Sequence, residues 1–193
     1  MYNVLNKNDV RYQTTHATIR NAYKKLLSQK DYLSISVTEI CKLAHINRGT
    51  FYIHYKDSSS VMNEFEEEIY HQMIQFIDEA IFTKDIQFKL PYTFADYIQT
   101  DNGLFFSKVL NGVYGSGKLY LRVCDYITSM TMQSFSNSKN LTQRELELLS
   151  AFLSNASIGI LREWYKSNYQ NIENDILFTN QLYDSILKIY NLH

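Results

Sequence analysis

Residues 37–56 read VTEICKLAHINRGTFYIHYK, and the fold turns on them. Val37, Ile40, Leu43 and Ala44 recur at helical spacing, so Thr38 to about Ala44 reads as a short amphipathic helix. His45 and Ile46 make a tight break, and Asn47 is a good N-cap for a second short helix, the stretch of about 47–55. Ile46, Phe51 and Tyr55 give that helix an apolar side, while Asn47, Arg48, Thr50, Tyr52 and His54 carry mostly hydrogen-bond donors elsewhere on it. Two short helices around a tight turn, the second rich in outward donors, describe a helix-turn-helix. An ordinary helical hairpin with solvated polar faces is the alternative that spacing leaves open.

A recognition helix enters the major groove N-terminus first, which would bring Asn47, Arg48 and Gly49 nearest the base edges. Arg48 has the planar fork that pairs bidentately with guanine. Gly49 lacks a side chain, so backbone can approach DNA closely there. Thr50, Tyr52, His54 and Lys56 suit phosphates, which set register rather than sequence, and Thr38 at the start of the first helix joins them as a candidate contact.

The segment 36–56, with Thr15–Leu27 before it, resembles the N-terminal domain of TetR-family (tetracycline-repressor-like) transcriptional regulators. The residues that carry the resemblance are VTEIC, AHINRGTFYIHY and KDSSS, with NRGTFYIHY the most specific tract. Cys41 stands where that family usually has alanine, His45 where it has glycine, and Asn47 where it has serine or threonine. Ser58 replaces a typical phosphate-binding lysine, with Lys56 as the candidate substitute. The resemblance implies an all-α fold: a three-helix DNA-binding domain over residues 1–56, whose first helix buttresses the helix-turn-helix, and a larger helical effector-binding and dimerisation domain over 57–193. The run 152–165, FLSNASIGILREWY, also resembles the C-terminal region of a Firmicutes-type TetR subgroup with a G-x-x-x-x-W tract.

Composition agrees with long helices, since one proline and six glycines in 193 residues leave few breaks. The net charge of −1 hides an asymmetry. Residues 1–56 carry nine Lys and Arg against Asp9, Asp31 and Glu39, a net +6, whereas the remainder has ten basic and seventeen acidic residues, a net −7. A basic head on an acidic body is the footprint of a DNA reader attached to something else. Cys41 and Cys124 form no disulfide framework or zinc spacing and are expected reduced and buried. No metal or cofactor is expected. The first ten residues lack an apolar signal core, and no apolar run approaches the ~18 residues of a membrane span, so a cytoplasmic, membrane-free protein is expected.

Residues 1–13 read as a polar lead-in. Thr14 or Thr15 can cap a first helix to about Gln29, followed by a connector whose Leu33 and Ile35 tuck into the small core. Asp57 is a plausible cap for a long helix to about Phe82, with Val61, Met62, Phe65, Ile69, Met73, Phe76, Ile77 and Ala80 inward and Glu64, Glu66, Glu67 and Glu68 wet. The polar stretch 83–91 ends in the only proline and marks a boundary. Shorter pieces follow at about 92–100 and 104–110, separated by Asp101-Asn102-Gly103; further breaks lie at 111–112 and 115–117. The GSGK at 115–118 lacks the frame of a phosphate loop. Helices are expected at about 118–135, from the Thr142–Glu145 capping box to about 168, and at about 173–190.

In TetR-like proteins the last two helices pair with their copies in a four-helix dimer interface. That resemblance makes Phe152, Ala156, Ile160, Leu182, Ile186 and Ile189 the candidate homodimer residues, matching a palindromic operator in double-stranded DNA. Phe105, Phe106, Tyr114, Tyr126, Met130 and Trp164 could line a pocket for a small apolar or aromatic effector, or simply fill a helical core. With no GxSxG, no HExxH and five scattered histidines, no enzyme is expected. The reading is a repressor-type regulator controlled by an effector. Its rivals are a regulator or activator governed by a protein partner through its C-terminal domain, and a helical adaptor that has lost DNA binding, for which Ser58 is the support.

Overall fold

The computed structural model describes residues 9–81, 97–110 and 117–192. They are all-helical, with no strand among the described residues. Helices α1 (Val10–Leu27), α2 (Val37–Ala44), α3 (Arg48–His54) and α4 (Ser58–Ile81) come first. Then follow α5 (Asp101–Leu110), α6 (Lys118–Phe135), α7 (Gln143–Lys166) and α8 (Ile172–Ile189). Two compact units divide the chain, Met1–Glu67 and Glu68–His193, so the first turns of α4 belong with α1–α3.

The expected start of α1 is corrected. Asp9, not a threonine, is its cap, accepting from the Arg11 N–H at 2.8 Å. The hydroxyls of Thr14 and Thr15 instead donate back to the carbonyls of Val10 and Arg11 at 2.8 and 2.9 Å, as mid-helix threonines do. Leu33 is also corrected: it is 77% exposed on a 3₁₀ turn, Tyr32–Ser34, while Ile35 alone of that pair is buried. The start of α2 moves one residue upstream, because Ser36 rather than Thr38 caps it. Ser36 and Glu39 form a capping box, and Glu39 also holds Lys30 at 2.5 Å. These contacts, led by the Lys30 hydrogen bond, hold the Glu39 carboxyl down to about 2.

The first unit closes around fully buried Ile19, Tyr23, Ile40, Phe51 and Val61. Ile19, Ile40, Phe51 and Val61 each contribute roughly 1.5–3 kcal/mol by leaving water. Asp57 caps α4 through the Ser60 N–H at 2.8 Å. Of the four glutamates expected on its wet face, two turn inward. Glu66 is buried, and Glu64 pairs with Arg20 and with His16 at 3.2 Å.

In the second unit Asp101-Asn102-Gly103 is not a break but the first turn of α5. The Thr100 hydroxyl accepts from the Gly103 N–H at 3.1 Å, and a Cβ at Gly103 would collide with the Tyr97 carbonyl and the Ile98 Cα. A sequence breaker thus serves a close approach. The Thr142–Glu145 capping box opens α7 as expected. Helix α6 packs along α7, and α7 against α8. Phe135, Leu146, Leu149, Leu153, Tyr183 and Leu187 form a core between these three helices. The buried Tyr183 hydroxyl is engaged by Ser157 at 2.5 Å and donates to the Leu153 carbonyl at 3.2 Å, and burial pushes it up to about 12. Leu121 on α6 is 61% exposed. The expected boundary at 83–91, the lead-in to residue 8, and the breaks at 111–112 and 115–116 lie outside the described residues.

Candidate nucleic-acid interface

The helix-turn-helix is built by α2, a left-handed turn residue and α3. His45 adopts φ 54° and ψ 41°, and its N–H reaches the carbonyls of Cys41 and Lys42, while the Ile46 N–H reaches Cys41 at 3.0 Å. That reversal frees Asn47 to cap α3, its side-chain oxygen accepting from the Thr50 N–H at 2.7 Å. The acceptor of Asn47 is therefore committed to the protein, leaving its amide N–H groups for a partner.

Gly49 has a local role that its sequence position did not reveal. A Cβ there would meet the Asn47 cap oxygen at 3.2 Å, so the glycine makes room for the cap as well as exposing backbone.

Thr38, Asn47, Arg48, Gly49, Tyr52 and Lys56 are all exposed, and Thr50 is half-buried. Arg48 donates from Nη2 to the Tyr52 hydroxyl at 3.0 Å, and its guanidinium carbon lies 5.9 Å from the Tyr52 ring centre. That hydroxyl raises the already high Arg48 pKa, so the charge is constant.

His54 is placed differently from the other candidate contacts. Its ring is half-buried 4.1 Å from the Tyr12 ring and 5.8 Å from that of His16, with Nδ1 buried and unpartnered. Burial first and the neighbouring His16 second lower its pKa. His16 in turn meets the Tyr55 hydroxyl at 2.8 Å and Glu64 at 3.2 Å. Burial opposes ionisation of Glu64, but hydrogen bonds from Tyr55 and Arg20 and the nearby His16 and Arg20 charges outweigh it and hold its pKa low. The end of α3 is thereby bolted to α1 and α4.

The Ser58 hydroxyl is buried, not offered at the surface, which leaves exposed Lys56 as the cation of this turn. Ile53, 48% exposed beside Tyr52, was not singled out from the sequence. Its signal is phase: it falls between the inward Phe51 and Tyr55, and an apolar side chain there suits a thymine methyl.

The candidate effector residues are placed as follows. Phe106 and Trp164 are buried core members, Phe105 and Met130 are half-buried, and Tyr114 lies outside the described residues. Tyr126 donates to Asp78 at 2.6 Å, and burial with that bond pushes its pKa up to about 12.

On the candidate dimer face, Phe152, Leu182 and Ile189 are 56%, 41% and 73% exposed. Ala156 is half-buried, and Ile160 and Ile186 pack partly against the core of the unit. Leu148 and Phe178, not chosen from the sequence, extend the same apolar surface at 55% and 66% exposure. A groove of about 430 Å³ runs among Leu141, Leu148, Phe152, Ile186, Ile189 and Tyr190.

Among the described residues no helix is long and apolar enough to cross a membrane, and no cluster of His, Cys, Asp or Glu could hold a metal ion. The described residues thus form a helix-turn-helix followed by a larger helical unit. No protein-family model matches the chain, and no curated protein matches it. Among solved structures it is similar to the fatty acid degradation regulator FadR from Bacillus halodurans. The two share 15% identity over 87% of this chain and 93% of that one, with a TM-score of 0.59. At that identity the likeness is one of fold.

Proposed function

We propose that the protein is a TetR-like transcriptional regulator that binds a palindromic operator as a homodimer. Helix α3 is the recognition helix, with Arg48 reading bases and Thr38, Thr50 and Lys56 contacting phosphates. The observation that carries this reading is the α2–turn–α3 unit itself, capped at both helices and presenting Arg48, Tyr52 and Lys56 outward. The exposed apolar face of α7 and α8 supports dimerisation through those helices. An apolar or aromatic effector bound in the body would act as a repressor's inducer only if it preferred one arrangement of the dimer. The fold likeness to a fatty acid degradation regulator is in keeping with an apolar effector.

A second reading, control by a protein partner without an effector, is favoured by one observation: Phe106 and Trp164 are already consumed by core packing. In both readings DNA binding comes first. Selection from random duplex DNA with the purified protein should enrich a palindrome. Arg48→Ala should blur one position in each half-site. A folded dimer that enriches nothing at low salt would refute the regulator reading.

A further inference from the structure

Arg48 and Tyr52 lie one turn apart on α3 and so share a face. The tyrosine ring is itself held: it packs edge-on, at 5.7 Å and 84°, against Phe51, which is fully buried. Its hydroxyl end reaches into solvent, and there it accepts the Arg48 Nη2–H at 3.0 Å. A buried phenylalanine thus steadies a half-exposed tyrosine, and the tyrosine steadies an exposed arginine.

The chemistry leaves both groups free to act. A guanidinium has five N–H donors, and one spent on Tyr52 leaves enough for a bidentate pair with the O6 and N7 of guanine. A phenol oxygen that accepts from arginine keeps its own O–H to donate. A long arginine side chain held before DNA arrives also loses less freedom on binding. As a surface pair the contact adds little to folding.

Resting on the DNA-reading assignment above, we propose that Tyr52 is a positioning residue. It fixes the Arg48 guanidinium for base recognition instead of serving as a sequence-neutral phosphate contact. Its hydroxyl therefore controls specificity at the base pair that Arg48 reads.

The test is Tyr52→Phe, which keeps the ring and its packing on Phe51 and removes only the hydroxyl. Operator and single-base variants are titrated with wild type, Tyr52→Phe, Arg48→Ala and the double variant, after circular dichroism confirms the fold. Tyr52→Phe should lower discrimination on the order of threefold to tenfold at the position that Arg48→Ala erases, and nowhere else. In the Arg48→Ala background it should have no further effect there. A uniform loss across all sequences, present in both backgrounds, would make Tyr52 a phosphate contact and overturn the proposal. An unchanged base profile would overturn it equally. Wild-type protein that selects no site overturns the DNA-binding reading and this inference with it, whereas a clear wild-type site indifferent to Tyr52→Phe overturns this inference alone.

Discussion

Replacing His45 by glycine should stabilise the first unit. His45 holds φ 54° and ψ 41° at the C-cap of α2, in the left-handed region. An L-residue there costs about 1–2 kcal/mol, and histidine falls toward the lower end because it tolerates the region better than most. Glycine removes that strain but gains freedom in the unfolded chain, which takes back about 0.4–1 kcal/mol. The net gain is about 0–0.6 kcal/mol. The assay has to report on the right unit. The only tryptophan, Trp164, lies in the other one, so its fluorescence would miss the effect. Native-state hydrogen exchange at the amides of Ile46 and Phe51, both bonded across or beside the turn, reads it directly. His45→Ala is the control, since it removes the imidazole and keeps the left-handed backbone; it should gain nothing. If glycine slows exchange no more than alanine does, or speeds it, the strain assignment is wrong and the imidazole decides the position.

Two further expectations follow from the packing. His54 is held below its ordinary pKa by burial and by His16, so the unfolded chain takes up that proton more readily. The first unit should therefore lose stability as pH falls from about 6.5 through the folded value, with Tyr12, His16, Tyr55, Glu64 and Arg20 as the groups around the ring. The low Glu64 pKa adds its own loss only further down, below its ordinary 4.5. Urea midpoints of wild type and His54→Gln between pH 7.5 and 5.5 separate the two, and an identical acid loss in the variant would clear His54. Phe152→Glu places a carboxylate on the exposed face of α7 and should give a monomer by light scattering with a normal monomer fold. Ile160→Glu should unfold the unit as well, because Ile160 packs against the Leu149, Leu153 and Tyr183 core; a Phe152→Glu protein that keeps a dimer's mass would exclude this face.

How much of this was legible in the sequence depended on whether a residue's role was local. The helix-turn-helix was, because Asn47, Phe51 and Tyr55 announce a cap and an apolar side within nine residues. The Thr142–Glu145 capping box was, for the same reason. The start of α1 is hidden in the sequence because two threonines look like caps, yet a threonine one turn inside a helix bonds backward just as well, and Asp9 is the residue that caps. Glu64 and Glu66 read as a solvated run from the sequence, because the helix that brings Arg20, His16 and Tyr23 to them lies far away along the chain. Candidate contacts show the same limit at finer grain. Arg48, Tyr52 and Lys56 differ little from His54 as donors on a helical wheel. Only the approach of Tyr12 and His16 from α1 half-buries His54, and only the 3.0 Å bond from Arg48 shows that the Tyr52 hydroxyl is already engaged. Residue type states what a side chain can bond. The tertiary neighbours decide whether that capacity is already spent, and in this chain the question divides α3 into residues that hold it in place and residues whose capacity stays unspent.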